Sequence, residues 1–430
     1  MAQYSSKRNN LLNNNDALYE VVMTAGNAGP SIYLPEGNLN LSTDAFGRSR
    51  VSDLYTIFDS RNITIESDDF YETGTGLYNK TYIQNQSSVL LSVGGASSSH
   101  SYTSKRRIVY QPGKSRLTMQ SFSFASQATG LTQRLGLFDD RDGIYLEQDE
   151  TETYFVIKTY TSGTVTYTKI PRSEWNINKL NSNGINLDLT KVQIFWTDIE
   201  WLGVGSVRCG FVINGQFVLC HVFHHANKLD TVYMSNPNLP VNYEIVTDGT
   251  YTGWSTGMNI ICSSVVSEGG YDTLGKTYTF NFTGWPGYQT IGTNWESLMG
   301  IRLYNSQQYH RVVAVINNVS INNISNQILE WGIFKNPNGS SVSWSWGSDR
   351  PEFQYMIGGH IIYQSWPITG GYMHSSESLQ SIPIIDASGK INWNYQLGMQ
   401  NSSTVDEYFL AVRSRTSNAA VVGSIQVSIL

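Results

Sequence analysis

Apolar residues in this chain recur at every second position in short runs, broken by Gly, Pro, Asn, Asp and Ser. Period two is the mark of strands, whose successive side chains point to opposite faces. Residues 153–160 and 164–169 flank Ser162-Gly163, a pattern that predicts a hairpin. Residues 105–110 run into Gln111-Pro112-Gly113-Lys114, which has the form of a type II turn. Along 116–124 the apolar set shifts from Leu117 and Met119 to Phe122 and Phe124, predicting a bulge or a switch of face. Between 192 and 201, Val192, Ile194 and Trp196 share one face while Phe195, Ile199 and Trp201 share the other. A strand apolar on both faces belongs in the middle of a sandwich. The clearest strands of the second half are 311–316, 327–334, 408–413 and 420–430. No short-period repeat is present, which disfavours a propeller or solenoid.

The pattern divides the chain into three. Residues 1–40, rich in Asn, Ser and Gly, lack periodicity and form an extended N-terminal arm, either a flexible tail or a segment that docks on a neighbour. Residues 41–267 make a first β-sandwich, Ser267-Glu268-Gly269-Gly270 a linker, and residues 271–430 a second β-sandwich. The fold class expected is therefore all-β, with two jelly-roll-like sandwiches behind an arm.

Composition sharpens this. Charged residues are 14% of the 430 and aromatics 12%. An average globular protein carries about 25% charged residues; here uncharged Asn, Ser, Thr and Tyr take their place in the loops. A net charge of −6 leaves no electrostatic footprint for nucleic acid or an anionic membrane, and no apolar run is long enough for membrane insertion. The first residues carry no apolar secretory core, and three cysteines do not make a disulfide framework. Folding in a cytoplasm is the expectation, so Asn62-Ile-Thr and Asn281-Phe-Thr reflect composition rather than glycosylation.

Reactive residues crowd one stretch, Trp201–Asn227, with two cysteines and three histidines around Asn214-Gly215. Asn-Gly is the strongest short-range hairpin signal, because a type I′ turn needs positive φ at both central positions. A two-residue turn sets Ile213 opposite Gln216, Phe211 opposite Val218, Cys209 opposite Cys220 and Val207 opposite Val222. Both cysteines then lie on an apolar face as small hydrophobes. His221, His224 and His225 fall at the strand end, as solvent-edge or interface residues rather than metal ligands.

Three other groups carry candidate chemistry. Asp139, Asp140 and Asp142 ahead of Gly143 would suit a cation or an Asp-Gly hairpin, with the hairpin the simpler explanation. Asp198 and Glu200, two apart on one strand near Trp196 and Trp201, are the pair a glycoside hydrolase would use, or else a solvated face. The second half is rich in aromatics, including Trp285, Tyr288, Trp393 and Tyr395. Among them Trp344, Trp346, Tyr363 and Trp366 are the candidate glycan or interface contacts. No catalytic residue, metal or cofactor is expected.

Several segments resemble a known group as a set. They are Asp44-Ala-Phe-Gly-Arg-Ser-Arg-Val-Ser-Asp53 into Phe58-Asp59-Ser60, Tyr110-Gln-Pro-Gly-Lys114, Ile199-Glu-Trp-Leu-Gly-Val-Gly205, Gly210-Phe-Val-Ile-Asn-Gly215 and Met234-Ser-Asn-Pro-Asn-Leu-Pro-Val-Asn-Tyr-Glu244. Over residues 41–250 they resemble virion structural proteins of tailed phages, notably marine ones, and of some large viruses. The strand–Asn-Gly–strand element is also similar to the concanavalin-like (laminin-G) jelly roll. The resemblance implies a non-enzymatic capsid, neck or tail component of a bacteriophage or virus. Such a component is made in the host cytoplasm, assembles as a homo-oligomer and contacts other virion proteins. The alternative is a tail or fibre module that binds a host-surface glycan or receptor through aromatic loops of the second sandwich.

Overall fold

A computed structural model of the chain describes residues 54–181, 185–270, 275–281, 287–304, 312–347, 350–363, 366–374, 380–383, 395–398 and 405–430. The expected arm and the 44–53 motif lie outside the described residues. Their regular structure is almost wholly β-strand, joined by turns and loops, with two single-turn 3₁₀ segments at Gln84–Gln86 and Arg172–Glu174. No helix among them is long and apolar enough to cross a membrane.

Thirteen strands form one antiparallel sheet. They are β1 Leu54–Arg61, β2 Phe70–Ile83, β3 Ser88–Ile108, β4 Arg116–Ser123, β5 Leu131–Phe138, β6 Gly143–Gln148 and β7 Thr153–Thr159. They continue with β8 Thr166–Pro171, β9 Gln193–Ile199, β10 Val207–Ile213, β11 Gln216–Phe223, β12 Leu239–Thr247 and β13 Thr256–Glu268. The ladder runs β11-β10-β9-β4-β13-β3-β12-β5-β6-β7-β8, with β1 beside β13 and β2 beside β3.

β3 is the corner of this ladder. Its start, Val89 to Val93, pairs with β13, and its later part, from Ser99, pairs with β12. Between them the β2–β3 register jumps from Thr75↔Ser99 to Leu77↔Gly94. Gly76 and Gly95 at the jump have φ of +69° and +66°, which L-residues with a Cβ adopt at a cost. An irregularity of this kind bends a strand, and the ladder closes over itself as two layers. Phe155 of β7 stacks on Trp175 at 4.1 Å and meets Phe195 of β9 and Phe211 of β10 at 5.9 and 6.3 Å, so the far strands face each other across a core.

The sequence's phase shift in β4 is a switch of face. Leu117 and Met119 join an outer cluster with Trp196 and Leu219, while Phe122 and Phe124 enter the inner core. β4 itself pairs with β9 without interruption; the bulge lies in its other partner, β13, between Ile260 and Cys262.

The second half contains a five-stranded sheet around Ala419–Ile429 and Ala314–Asn323, and a seven-stranded sheet around Trp295–Leu303, Glu407–Ser414 and Leu329–Lys335. A methyl placed on Gly423 of the first would lie 2.7 Å from Leu298 and 3.3 Å from Leu410 of the second, so these sheets also pack face to face. Apolar side chains of both halves join one buried cluster, and Gln396 donates from Nε2 to the Arg107 carbonyl at 3.1 Å.

Candidate functional site

Asn214 and Gly215 have φ of +51° and +75°, and Ile213↔Gln216 and Phe211↔Val218 pair as the sequence predicts. Beyond Gly210 the register slips by one, so Cys209 opposes His221 and Val207 opposes Phe223. The expected pairings of Cys209 with Cys220 and Val207 with Val222 are corrected by this bulge, in which two residues of β11 oppose one of β10. The slip turns His221 inward. Its ring lies 4.5 Å from Phe223, and the Asn176 N–H donates to its Nδ1 at 3.3 Å. His225 is also buried, stacked on Tyr233 at 4.0 Å with Nδ1 2.7 Å from the Gly205 carbonyl; only His224 is exposed. Two of the three histidines are therefore core residues, not the solvent-edge group expected.

Burial pushes the His221 imidazole down to about 4, so it is neutral in the folded protein. An unfolded histidine titrates near 6.5. As pH falls from about 6.5 towards 4 the unfolded chain takes up this proton and the folded chain does not, so stability is lost across that window. The loss from this residue is roughly 3 kcal/mol. Denaturant midpoints measured from pH 7 to pH 4 should fall accordingly, and His221→Gln should flatten the fall.

Cys209 and Cys220 are buried free thiols, and burial raises both thiol pKa values. Cys262 is only half-buried. A thiol reagent should therefore label Cys262 in the native protein and all three cysteines in denaturant; rapid native labelling of Cys209 or Cys220 would contradict the packing.

The Asp-rich loop is the β5–β6 turn. Asp139 Oδ1 accepts the N–H groups of Arg141 and Asp142 at 2.8 and 2.9 Å, and its Oδ2 pairs with Arg107 at 2.9 Å. Asp142 is fully buried and accepts from the Ser235 N–H and hydroxyl at 2.9 and 2.6 Å, tying the turn to the 234–235 loop. Among the described residues no three His, Cys, Asp or Glu converge as a metal site.

Asp198 and Glu200 are both fully buried. Asp198 lies 3.8 Å from Arg208, whereas Glu200 sits past the end of β9 and accepts from the Tyr110 hydroxyl at 3.4 Å. Their neighbouring tryptophans offer no open platform. Trp196 is buried against Gly210, where a methyl would come within 2.6 Å of the indole. Trp201 is half-buried and donates from Nε1 to the Met234 carbonyl at 3.0 Å.

The aromatics of the second half are dispersed in role. Trp344 is half-buried against Phe409, with the Arg302 guanidinium 4.3 Å above its ring. Trp346 lies on the short strand Ser345–Gly347, with its side chain outside the described residues. Tyr395 is buried, and Trp285 and Trp393 lie outside the described residues. Tyr363 and Trp366 are 68% and 82% exposed.

One built groove carries an exposed aromatic that the sequence reading passed over, Trp254, at 96% exposure. It stands on the loop between β12 and β13. That loop is pinned on several sides: Gly95 N–H to Gly253 O at 3.2 Å, Ser97 N–H to Asp248 O at 3.0 Å, and Asp248 N–H to Gly130 O at 2.9 Å. Thr250 caps Asp248 through both its N–H and its hydroxyl, at 2.7 and 2.6 Å. A methyl on Gly94 would lie 2.5 Å from the Trp254 carbonyl, so β3 supports the loop at backbone contact. Trp254, Leu77, Tyr78, Asn79, Ser92 and Ser255 line an open groove. Tyr78, partly exposed, leans on the buried His100 ring at 5.0 Å. Burial lowers the His100 pKa, and its Nε2 lies 3.1 Å from Glu72. The available signal was local: a lone tryptophan amid Gly249, Gly253 and Gly257 has no periodic partners with which to share a core face.

No protein-family model and no curated protein matches the chain. Among solved structures it is similar to Bacillus licheniformis beta-glucanase, at 10% identity over 48% of this chain and 96% of that one, with a TM-score of 0.32. It is similar also to arcelin-5, a lectin-like defense protein from Phaseolus vulgaris, at 11% identity over 50% and 98% of the two chains and a TM-score of 0.31. A third is Rv0315 of Mycobacterium tuberculosis, described as an immunostimulatory antigen and pseudo beta-1,3-glucanase, at 9% identity over 49% and 98% and a TM-score of 0.34. At such identities and scores the likeness assigns no activity.

Proposed function

We propose that this all-β protein is a non-enzymatic glycan-binding module whose contact site is the groove under Trp254. The observation that carries the reading is a single one: an almost fully exposed indole on a loop pinned by backbone hydrogen bonds, over a concave surface. A rigid indole offers a large flat contact at little entropic cost on binding. The C–H face of a pyranose stacks on such a surface, and the Asn79 amide and the Ser92 and Ser255 hydroxyls are of the right type to meet sugar hydroxyls. Hydrolysis is not part of the proposal, because Asp198 and Glu200 are buried and neither lines this groove.

The test is binding of the labelled full chain to immobilised glycans and to candidate host cells before and after periodate treatment. Saturable, periodate-sensitive binding supports the reading, and its absence across a broad panel contradicts it.

A second reading, assembly into a virus particle as a homo-oligomer, is favoured by a different observation. Tyr363, Trp366, Ile368 and Tyr372 are all at least half exposed within a short span of the second half. Exposed apolar groups grouped in this way mark contact surfaces. The two readings combine naturally in a glycan-binding component of a virion, the setting that the resemblance over residues 41–250 implies. Light scattering tests the assembly reading: a homo-oligomer that Trp366→Ser dissociates supports it, and a monomer at every concentration contradicts it.

A further inference from the structure

We infer that the groove under Trp254 takes an uncharged sugar unit within a chain, a neutral hexose or N-acetylhexosamine, rather than an acidic saccharide. This rests on the glycan-binding reading and narrows its ligand class.

The lining supplies the first reason. Every residue that forms the groove is uncharged. Recognition of a carboxylate, sulfate or phosphate depends on guanidinium or ammonium donors, whose charge-assisted bonds are the strong ones. The nearest cation along β2 is Lys80, two residues beyond Tyr78, and its ammonium is already paired with Glu66 at 2.5 Å. On the other side of Tyr78, Glu72 is 41% exposed and lies beside the buried His100. The surroundings therefore lean negative, as does the whole chain at −6, and both oppose an anionic ligand.

The polar groups supply the second. The Asn79 side-chain amide donates from Nδ2 to the Thr81 hydroxyl at 3.0 Å, which orients its Oδ1 as an acceptor, and the Ser92 hydroxyl is anchored on the main-chain carbonyl of Asn79 at 3.0 Å. An oriented amide oxygen and serine hydroxyls match sugar hydroxyls or an acetamido N–H, all neutral partners.

Shape supplies the third. The groove is shallow and open, bounded by β2 and β3 on one side and by the Trp254 loop on the other. An open groove leaves room for neighbouring sugar units, whereas an enclosed pit would select a chain terminus.

The experiment compares neutral oligosaccharides of increasing length with sialylated, uronic and sulfated ones. It uses the full chain and its Trp254→Ala variant, each at low and high salt, with the unfolding midpoint of each recorded. The expected result is binding of a neutral series that tightens with length and changes less than about twofold with salt, as fits a contact without ion pairing. Trp254→Ala should weaken it at least roughly tenfold, the equivalent of one decade in Kd, with its unfolding midpoint unchanged. Tryptophan-dependent binding confined to acidic saccharides and weakened by salt would overturn this inference and leave the glycan-binding reading intact. Binding of no saccharide of either class would overturn both.

Discussion

Phe155→Ala is expected to destabilise the fold by about 4 kcal/mol, the usual cost of emptying a buried phenylalanine site. Phe155 is wholly buried, stacked on Trp175 at 4.1 Å, and it bridges β7 to β9 and β10 through Phe195 and Phe211. Those rings come from strands at the two far ends of the ladder and touch only because the sheet has closed on itself. Little nearby can move into the space, since Trp175 and Phe211 are themselves buried and fixed by the same stack. Tyr167→Ala, on the exposed edge strand β8, makes the control: at 55% exposure it should change stability by less than about 0.5 kcal/mol. Denaturant unfolding of the two variants measures both. A Phe155→Ala loss under roughly 1 kcal/mol would mean that the layers do not meet where described.

The elements whose causes are local were legible in the chain. Asn214-Gly215 closed its hairpin, Gln111–Lys114 formed a turn with the Lys114 N–H on the Gln111 carbonyl at 3.1 Å, and Phe138 paired with Gly143 across the Asp-rich turn. Of the second-half strands, 327–334, 408–413 and 420–430 fell close to where period two placed them, whereas the one expected at 311–316 runs instead from Ala314 to Asn323.

What escaped depends on distant residues. Nothing near Cys220 announces a bulge; it is stabilised from outside β10–β11 by the 176–178 segment, where the Ile177 and Asn178 N–H groups both reach the Cys220 carbonyl at 3.1 Å. Asp198 and Glu200 form an exposed pair on paper, but Arg208 and Tyr110, brought in by pairing and packing, bury them. Trp254 was missed for the opposite reason. Periodicity finds residues that share a face with others, and a binding residue on a Gly-rich loop shares none. The candidate site was therefore the least legible part of the protein, while the fold class was the most.

Trp254→Ala is the other change with a large expected effect, on binding rather than on stability. A central exposed aromatic that stacks on ligand behaves as a hot spot, worth about 2 kcal/mol or more when truncated, or roughly 30-fold in Kd. Stability should stay within about 0.5 kcal/mol, since an indole that is 96% exposed packs against almost nothing. Tyr78→Ala should cost less in affinity and somewhat more in stability, because its ring also covers His100.

Calorimetric titration of the wild-type chain and the Trp254→Ala variant with one neutral oligosaccharide drawn from the panel tests the central claim most directly. Saturable binding by the wild type, weakened roughly 30-fold in a variant with an unchanged unfolding midpoint, is the result the groove requires. Equal affinity of the two proteins would place the glycan elsewhere on the molecule, and no heat from either would remove the glycan altogether.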